Sequence, residues 1–319
     1  MKSAIVTGAG GFIGSHFTRY LHTKGYHVIG IDTKYPEFSP TRADKFVLAD
    51  LTDTHLAFTY IHHVDELYMF AADMGGVEYI ESTHADLMKT NALININTLE
   101  AARKVSIPTM FFPSTACVYP QSKQKSTHLK GLKETDVYPA DPDSSYGWEK
   151  LFAEQLCQAY IKDCGIKIHI ARLHNIYGPE GTYEGGREKS PAALCRKVAL
   201  ADPVDTIEIF GDGKQIRSYC YVDDCCEGIF RLTHSKHLGP VNIGSSRPIS
   251  INDLVLLISK IAKKKITISH SLNAPVGVRA ISSDNGLIKK LLGWEPRIPL
   301  EVGFKKTYQW VEQQVQKKK

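Results

Sequence analysis

The sequence predicts an α/β protein: a Rossmann-type, doubly wound parallel sheet with a smaller C-terminal α/β substrate-binding subdomain. A short apolar segment, residues 3–7, runs directly into a glycine-rich turn and then into apolar residues at helical spacing. Short apolar segments then alternate with helical ones, which is typical of parallel sheets. Acidic or small residues follow these segments, where the carboxyl ends of the strands would bind a ligand.

The first turn has the pattern G-x-G-G-x-x-G, one residue longer than the usual dinucleotide motif. Such glycines allow a tight turn and a close approach of pyrophosphate to the N-terminus of the following helix. We therefore expect a dinucleotide to contact the residues of this turn, which are Gly8, Gly10, Gly11, Phe12, Ile13 and Gly14.

Acidic residues end the next two apolar segments. Asp32 lies roughly 20 residues past the glycines, where a carboxylate binds a ribose 2′-hydroxyl. An acid there repels a 2′-phosphate, which favours NAD over NADP, although Lys34 and Arg42 make the exclusion incomplete. Asp50, followed by Leu51, ends the third segment, and an adenine amino group is its expected partner.

The fourth segment is followed by small residues, Ala71 and Ala72, which permit close approach of a cofactor. The fifth predicted strand ends near Thr115, and strand alternation would put Thr115 and Cys117 on one face.

Tyr146 and Lys150 are four residues apart and share one face of the next helix. A neighbouring ammonium lowers the pKa of a phenol, which would make Tyr146 a usable base. A lone Tyr-x-x-x-Lys is a weak signal, and the strand-end residues give it weight.

Composition favours an ordinary globular protein with an anionic small ligand. The chain has 319 residues, is 43% hydrophobic and carries a formal net charge of +5, which is modest for a nucleic-acid-binding surface. Its seven cysteines, odd in number and without C-x-x-C, argue for a reducing compartment and against structural zinc. We expect a cytoplasmic protein that binds no metal, nucleic acid or membrane.

The domain organisation follows from the change in character after residue 175. Residues 1–175 are expected to form the NAD-binding domain, with returning segments near 207–243, and residues 176–319 to be mainly substrate-binding. Helices are predicted at residues 84–104, 192–200, 222–232 and 251–262, with Ser190 and Pro191 as cap and first turn of the second. Residues 121–143 are predicted to be a polar excursion over the active-site side.

The glycine motif, Asp32, Asp50-Leu51, Ser114-Thr115 and Tyr146-x-x-x-Lys150 together resemble the extended short-chain dehydrogenase/reductase family, in its nucleotide-sugar epimerase branch. Narrower segments are similar to epimerases that act at C3 and C5 of GDP-mannose. The more specific of these contain Cys117 and Lys189, and all of them lie within residues 71–76, 116–120, 174–179, 185–189, 211–218, 277–279 and 283–285.

The resemblance implies a mechanism with tightly bound, recycled NAD. Tyr146, assisted by Lys150 and Thr115, would take the O4 proton while hydride passes from C4 to NAD. The resulting 4-ketone acidifies the protons at C3 and C5. Cys117 would remove a proton from one face and Lys189 return one to the other, giving GDP-L-galactose with GDP-L-gulose as a side product. Cys117 needs a lowered pKa for this, which a nearby cation such as Lys189 would provide.

The same resemblance implies a set of substrate contacts and a dimer. The sugar nucleotide would be held by Gly75, Thr115, Asn175, Glu188, Lys189, Lys197, Gln215, Arg217 and Arg279. Arg196 is interpreted as a solvated residue on a helix face. The helices beginning near His84 and Ser145 are the expected faces of a homodimer.

Three other functions are compatible with parts of this pattern. A GDP-4-keto-6-deoxymannose epimerase/reductase also uses a cysteine base but reduces with NADPH, against which Asp32 and residues 187–189 argue. A UDP-sugar 4-epimerase needs no Cys117–Lys189 pair. A non-catalytic NAD-binding scaffold would not require the intact set of reactive residues.

Overall fold

The structure, a computed structural model, describes residues 1–126, 131–274 and 276–318. The strands are β1 Ser3–Thr7, β2 His27–Asp32, β3 Lys45–Leu48, β4 Glu66–Met69, β5 Thr109–Thr115, β6 Lys167–Leu173, β7 Ile176–Tyr177, β8 Val204–Phe210, β9 Ile216–Ser218, β10 Cys220–Tyr221, β11 Pro240–Ile243, β12 Pro248–Ser250, β13 Lys265–Ser271 and β14 Ala280–Ile281. The helices are α1 Phe12–Thr23, α2 Thr54–Tyr60, α3 Val77–Ser82, α4 His84–Lys104, α5 Ser145–Cys164, α6 Ser190–Leu200, α7 Val222–Thr233, α8 Ile251–Ala262, α9 Gly286–Leu292 and α10 Leu300–Lys317.

Seven strands form one parallel sheet in the order β11-β6-β5-β4-β1-β2-β3. The chain moves outward from β1 to β3, then returns to β4 and continues in the other direction. The reversal lies between β1 and β4, and the carboxyl ends of those strands therefore flank the crevice where doubly wound sheets bind ligands.

The sheet is covered on both faces because its strands alternate apolar side chains between two cores. Val6, Tyr68 and Phe111 belong to the core that includes α7, α8 and α10. Their neighbours Leu67 and Phe112 belong to the core on the opposite face, with α2, α4 and α5. The predicted Rossmann-type parallel sheet is confirmed.

Among the described residues, three small sheets lie outside the large one. β8 pairs in parallel with β13, β9 lies between β12 and β14, and β7 pairs with β10. Of the predicted returning segments, β11 joins the large sheet, whereas β8 remains outside it with β13. Helices α6, α8 and α10 pack against one another beside these sheets.

Several local predictions need correction or qualification. Cys117 is not on the strand, because β5 ends at Thr115 and residues Ala116–Val118 form a 3₁₀ turn. Lys189, not Ser190, is the N-cap of α6. The polar excursion contains 3₁₀ turns at Gln121–Gln124 and Glu134–Val137, while the part of that prediction covering residues 127–130 lies outside the described residues.

Two absences hold for residues 1–126, 131–274 and 276–318. No helix there combines the length and apolar character needed to cross a membrane. No group of three or more His, Cys, Asp and Glu side chains there is arranged to hold a metal ion. All seven cysteines are free thiols.

Candidate active site

The glycine turn is a close-packed cradle at the start of α1. A Cβ on Gly10 would lie 2.1 Å from the Lys34 carbonyl oxygen, and one on Gly14 would lie 2.0 Å from that of Gly8. Gly8 has φ +71°, in the region that favours glycine. Gly11 caps α1 without a side-chain hydrogen bond, and Phe12 and Ile13 open the helix. This backbone fits a dinucleotide pyrophosphate, which would accept hydrogen bonds from the amide groups at the helix start.

Asp32 orders the same turn. Its Oδ2 accepts a hydrogen bond of 2.8 Å from the Gly10 amide, and its Oδ1 accepts one of 3.2 Å from the Lys34 amide. Asp32 thus lies beside the glycines at the end of β2, as the sequence predicts for a ribose-binding carboxylate.

The other cofactor candidates lie on neighbouring connections. Asp50 follows β3 and accepts hydrogen bonds from the amide and hydroxyl of Thr52, while Leu51 is buried. The Ala71 amide donates to the hydroxyl of Thr7, which ties the connection after β4 to β1. Ala72, next along, is exposed and able to contact a ligand.

Helix α5 positions the predicted dehydrogenase pair. Its N-cap is Ser144, whose hydroxyl accepts a hydrogen bond of 3.2 Å from the Gly147 amide. Tyr146 and Lys150 are both buried, and the Lys150 Nζ lies 5.9 Å from the centre of the Tyr146 ring. The hydroxyl of Thr115 lies close enough to the phenol to lower its pKa, so the three predicted groups come together.

Burial dominates the titration of this pair. It raises the pKa of Tyr146, with Cys117 and Glu149 adding to the effect and Thr115 opposing it. Burial likewise lowers the pKa of Lys150, which Glu149 partly offsets. The predicted lowering of the phenol pKa is therefore wrong for the chain by itself, because removing the phenolate from water outweighs any stabilisation from Lys150.

Cys117 lies directly beside Thr115 and Tyr146. Its amide donates a 3.3 Å hydrogen bond to the Thr115 hydroxyl, and its half-buried side chain packs against the cluster containing Tyr146. Burial raises the pKa of the Cys117 thiol to about 11, with a further increase from Asp143. Lys189 and Arg217 lower the pKa, as expected of cations, but they only partly compensate, which corrects the prediction of a lowered value.

Lys189 reaches the same cleft from a distant part of the chain. Desolvation of its ammonium lowers its pKa, although the residue as a whole is exposed, and Cys117 acts in the opposite direction. Asp143 and Arg217 also interact with Cys117. Asp143 was not among the residues predicted for the site, although its position three residues before Tyr146 was a usable signal.

A second group of candidates surrounds the end of β8. The Lys197 ammonium donates a 2.6 Å hydrogen bond to the Glu208 carbonyl, and the buried Gln215 amide donates one of 3.0 Å to the Phe210 carbonyl. Arg279 forms a two-pronged ion pair with Asp212, at 2.8 and 2.9 Å. The Gln215 Oε1 is buried and has no partner among the described residues, which leaves an acceptor for a ligand.

Asn175 and Arg217 lie between the two groups. Asn175 has φ +42° and donates a 3.0 Å hydrogen bond to the Ser218 carbonyl. Arg217 donates to the carbonyls of Ile216 and Val276, so it connects the Cys117 side of the cleft to the connection that carries Arg279.

The remaining candidates lie next to Lys189. Gly75 is buried against the ring of Tyr79. Glu188 accepts a 2.7 Å hydrogen bond from the Gly186 amide and pairs with Arg196 at 3.2 Å. Arg196 is therefore not a solvated residue as predicted: it is partly buried, and its Nε has no partner among the described residues.

Comparison with known proteins gives consistent results. Residues 4–244 match the model of the NAD dependent epimerase/dehydratase family. The chain is 45% identical over 316 residues to the GDP-mannose 3,5-epimerase of Arabidopsis thaliana, covering 98% of this chain and 83% of that protein.

Solved structures agree in fold along the whole chain. The UDP-glucose 4-epimerase of Thermotoga maritima, solved with UDP-glucose, superposes with a TM-score of 0.89 at 26% identity, covering 98% of this chain and 99% of that one. The UDP-glucuronic acid 4-epimerase of Bacillus cereus, solved with UDP-glucuronic acid and NAD, gives a TM-score of 0.82 at 27% identity, with the same two coverages.

Proposed function

The chain belongs to the NAD-dependent epimerase/dehydratase family, and from this we propose that it epimerises GDP-mannose at C3 and C5. The products would be GDP-L-galactose and, after a single inversion, GDP-L-gulose. The observation that carries the proposal is the electrostatic interaction of Lys189 with Cys117, whose side chain packs in the same cluster as Tyr146. A plain 4-epimerase requires only Thr115, Tyr146 and Lys150.

The glycine turn and Asp32 would hold NAD, which would supply reversible hydride transfer at C4. Tyr146 would take the proton from O4, with the Thr115 hydroxyl orienting the phenol. Lys150 would supply positive charge below the ring. Both steps need the phenol to ionise transiently, which its burial makes unfavourable in the chain by itself.

Inversion would then occur next to the ketone. The Cys117 thiolate would take a proton from the carbon, the electron pair of the C–H bond would move into an enolate, and the Lys189 ammonium would donate a proton to the opposite face. The two groups would exchange their protons with solvent before the next step. Positive charge from Lys189 and Arg217 favours the thiolate, which supports Cys117 as the base.

The cations and amides along the cleft would hold the nucleotide. Lys197, Arg217 and Arg279 suit phosphate oxygens through charge-assisted hydrogen bonds, and Gln215 and Asn175 supply amides. Gly75 and Glu188 would lie near the sugar. Because Arg279 is paired with Asp212, a phosphate would have to displace the Asp212 carboxylate in order to bind Arg279.

The direct test is hydrogen exchange. Purified protein with GDP-mannose in D₂O, and no added NAD, should incorporate deuterium at C3 and C5. Cys117→Ala should abolish exchange while enzyme-bound NADH still forms when substrate is added, whereas Tyr146→Phe should lose both. Exchange at C5 by Cys117→Ala would exclude that residue as the base.

A second candidate, 4-epimerisation of a UDP-sugar, is favoured by the likeness to the solved UDP-sugar 4-epimerases. Its requirements, Thr115, Tyr146 and Lys150, are all present. Turnover of a UDP-sugar, with no deuterium entering GDP-mannose, would select this function over the first.

We also propose that the protein is a homodimer that pairs through α4 and α5. Large apolar side chains on these helices face outward, with Trp148 46% and Phe152 49% exposed and Met88 and Ile96 also accessible. Trp148→Glu should shift the mass measured by light scattering to that of a monomer. Val204→Glu, at an exposed apolar residue on β8, is the matched control and should leave the mass unchanged.

Two further features complete the proposal. Seven free thiols are compatible with a reducing, cytoplasmic location. The division into an NAD-binding part, residues 1–175 with returning segments, and a substrate-binding part, residues 176–319, is supported by the separate small sheets formed by β8, β9 and β12 to β14.

A further inference from the structure

We propose that Arg187 is a positioning residue that holds Lys189 over the sugar by clamping its loop to the connection after β4. This inference rests on the proposed function and adds to it the element that fixes the second proton-transfer group. The clamp consists of Arg187, Asp73 and Tyr79.

The clamp is a closed set of side-chain contacts. The Arg187 Nη1 donates to Asp73 Oδ1 at 2.9 Å, and its Nη2 donates to the Tyr79 hydroxyl at 2.8 Å. That hydroxyl in turn donates to Asp73 Oδ2 at 2.7 Å. The guanidinium carbon lies 3.9 Å from the centre of the Tyr79 ring, so stacking adds to the polar contacts.

The connection after β4 is itself firmly anchored. The buried Asn91 of α4 accepts a 2.7 Å hydrogen bond from the Asp73 amide and donates one of 3.0 Å to the Asp73 carbonyl. Met74, the next residue, accepts a contact of 3.8 Å from the Tyr146 hydroxyl. The clamp therefore fixes the position of Arg187 relative to Tyr146, because both contact the same connection.

The backbone around Lys189 meets the same connection. The Gly76 amide donates a 3.1 Å hydrogen bond to the Arg187 carbonyl, and a Cβ on Gly76 would lie 2.5 Å from the Glu188 carbonyl oxygen. The loop approaches through Gly185 and Gly186, with φ +90° and +85°. These glycines leave the loop little stiffness of its own, so its position depends on the contacts that follow them.

The clamp can be tested because misplacing Lys189 separates exchange from inversion. Cys117 can remove a proton and, after exchange with solvent, return a deuteron to the same face, which labels GDP-mannose without inverting it. Inversion needs Lys189 on the opposite face. A group displaced by about 1 Å can lose on the order of a hundredfold in rate.

The experiment compares Arg187→Gln with the unaltered protein in D₂O. We expect inversion to fall by on the order of ten- to a hundredfold, while substrate-induced NADH formation and the KM for GDP-mannose stay within about threefold. The ratio of labelled GDP-mannose to inverted product should rise by a similar factor. Arg187→Lys, which keeps the charge and one contact, should recover part of the inversion.

Controls distinguish the possible failures. The matched control is Arg103→Gln, because the Arg103 side chain is 48% exposed, close to the 51% of Arg187, and pairs with Glu100 away from the site. In this variant the ratio of labelled GDP-mannose to inverted product should be unchanged. An Arg187→Gln protein with the normal ratio, or with KM and NADH formation falling in parallel with inversion, overturns the clamp. Absence of exchange in the unaltered protein would instead refute the proposed function.

Discussion

Gly147 and Cys117 meet backbone to backbone: a Cβ on Gly147 would lie 2.3 Å from the carbonyl oxygen of Cys117. Gly147 follows Tyr146 at the start of α5, so this contact fixes the distance between the phenol and the thiol. The helix can approach the 3₁₀ turn this closely only because residue 147 has no side chain.

Gly147→Ala should therefore impair both half-reactions. Alanine is a better helix former than glycine by about 1 kcal/mol, but its methyl group would push α5 away from the Cys117 turn. We expect NADH formation and deuterium exchange both to fall at least about tenfold, measured by reduced-nicotinamide absorbance and by NMR. Gly181→Ala is the control, since its Cβ would make only ordinary contacts, the nearest at 3.6 Å. Equal losses in both variants would contradict the explanation.

Deuterium exchange should become faster as the pH rises from neutral. The pKa of Cys117 is raised to about 11, so the thiolate fraction grows about tenfold per pH unit below that value. The pKa of Lys189 is lowered, so loss of its ammonium opposes the gain at high pH. The optimum for inversion should lie on the alkaline side of neutrality, as a pH series of initial rates would show.

In Asp143→Asn, the rise of the deuterium-exchange rate with pH should occur at lower pH, by up to about one unit. The Asp143 carboxylate raises the pKa of Cys117, and asparagine removes the charge with little change of shape. The same pH series measures the shift. If the rise of the exchange rate stays at the same pH or moves to higher pH, Asp143 does not raise the pKa of the thiol.

Glu154→Gln should destabilise the fold strongly. Glu154 and Arg172 form a buried ion pair, with nitrogen–oxygen distances of 2.7 and 2.9 Å and side chains only 2% and 3% exposed. Removing one partner leaves a buried charge uncompensated, which typically costs about 3–5 kcal/mol. The free energy of unfolding in urea measures the loss. Asp86→Asn, which breaks an exposed pair with Lys89, should change it by less than ~0.5 kcal/mol.

Stability should be greatest between about pH 4.5 and 6.5 as far as Glu66 and His234 determine it. Burial raises the pKa of Glu66, but hydrogen bonds from His234, Tyr68 and Lys2 outweigh this effect and hold the pKa at about 2. The ionised Glu66 therefore stabilises the fold fully above its ordinary pKa of 4.5, and this stabilisation is lost as the pH falls toward 2. The hydrogen bond to Glu66 raises the pKa of His234. The protonated His234 therefore stabilises the fold below its ordinary pKa of 6.5, and this stabilisation is lost as the pH rises above the raised pKa.

Glu66→Gln should remove this dependence. Thermal unfolding midpoints, measured from pH 4 to 9 for both proteins, should differ most within that window. Parallel curves would mean that the pair does not contribute.

Periodicity predicted the fold because the sheet and its helices are local patterns. The boundaries of α8, Ile251–Ala262, and of α4, His84–Lys104, agree with the predicted ranges. The strand assigned to Cys117 was wrong because the turn after Thr115 is set by its contact with α5, which a strand pattern does not contain. The small sheet of β9, β12 and β14 was not predicted, since its strands are only two or three residues long.

The site, like the fold, was predictable only where it depends on local sequence. Tyr146 and Lys150 are one helical turn apart, and their convergence is a property of local sequence. The titration of Tyr146 and Cys117 depends on how much protein surrounds them, and burial reversed both predicted directions. Asp143 was missed because its partner, Cys117, lies on the other side of the polar excursion, and Arg196 because its partner, Glu188, precedes α6 and so lies outside the helical pattern.

The connection after β4 has a consequence for the fidelity of the reaction. Met74 contacts the phenol that would start the oxidation, and Asp73 holds the loop of the residue that would finish the inversion. A displacement of this one connection disturbs both groups together. When the connection itself moves, oxidation would then fail together with inversion, so that a reactive ketone is not left half-processed; release of the Lys189 loop alone, as in Arg187→Gln, would leave oxidation intact.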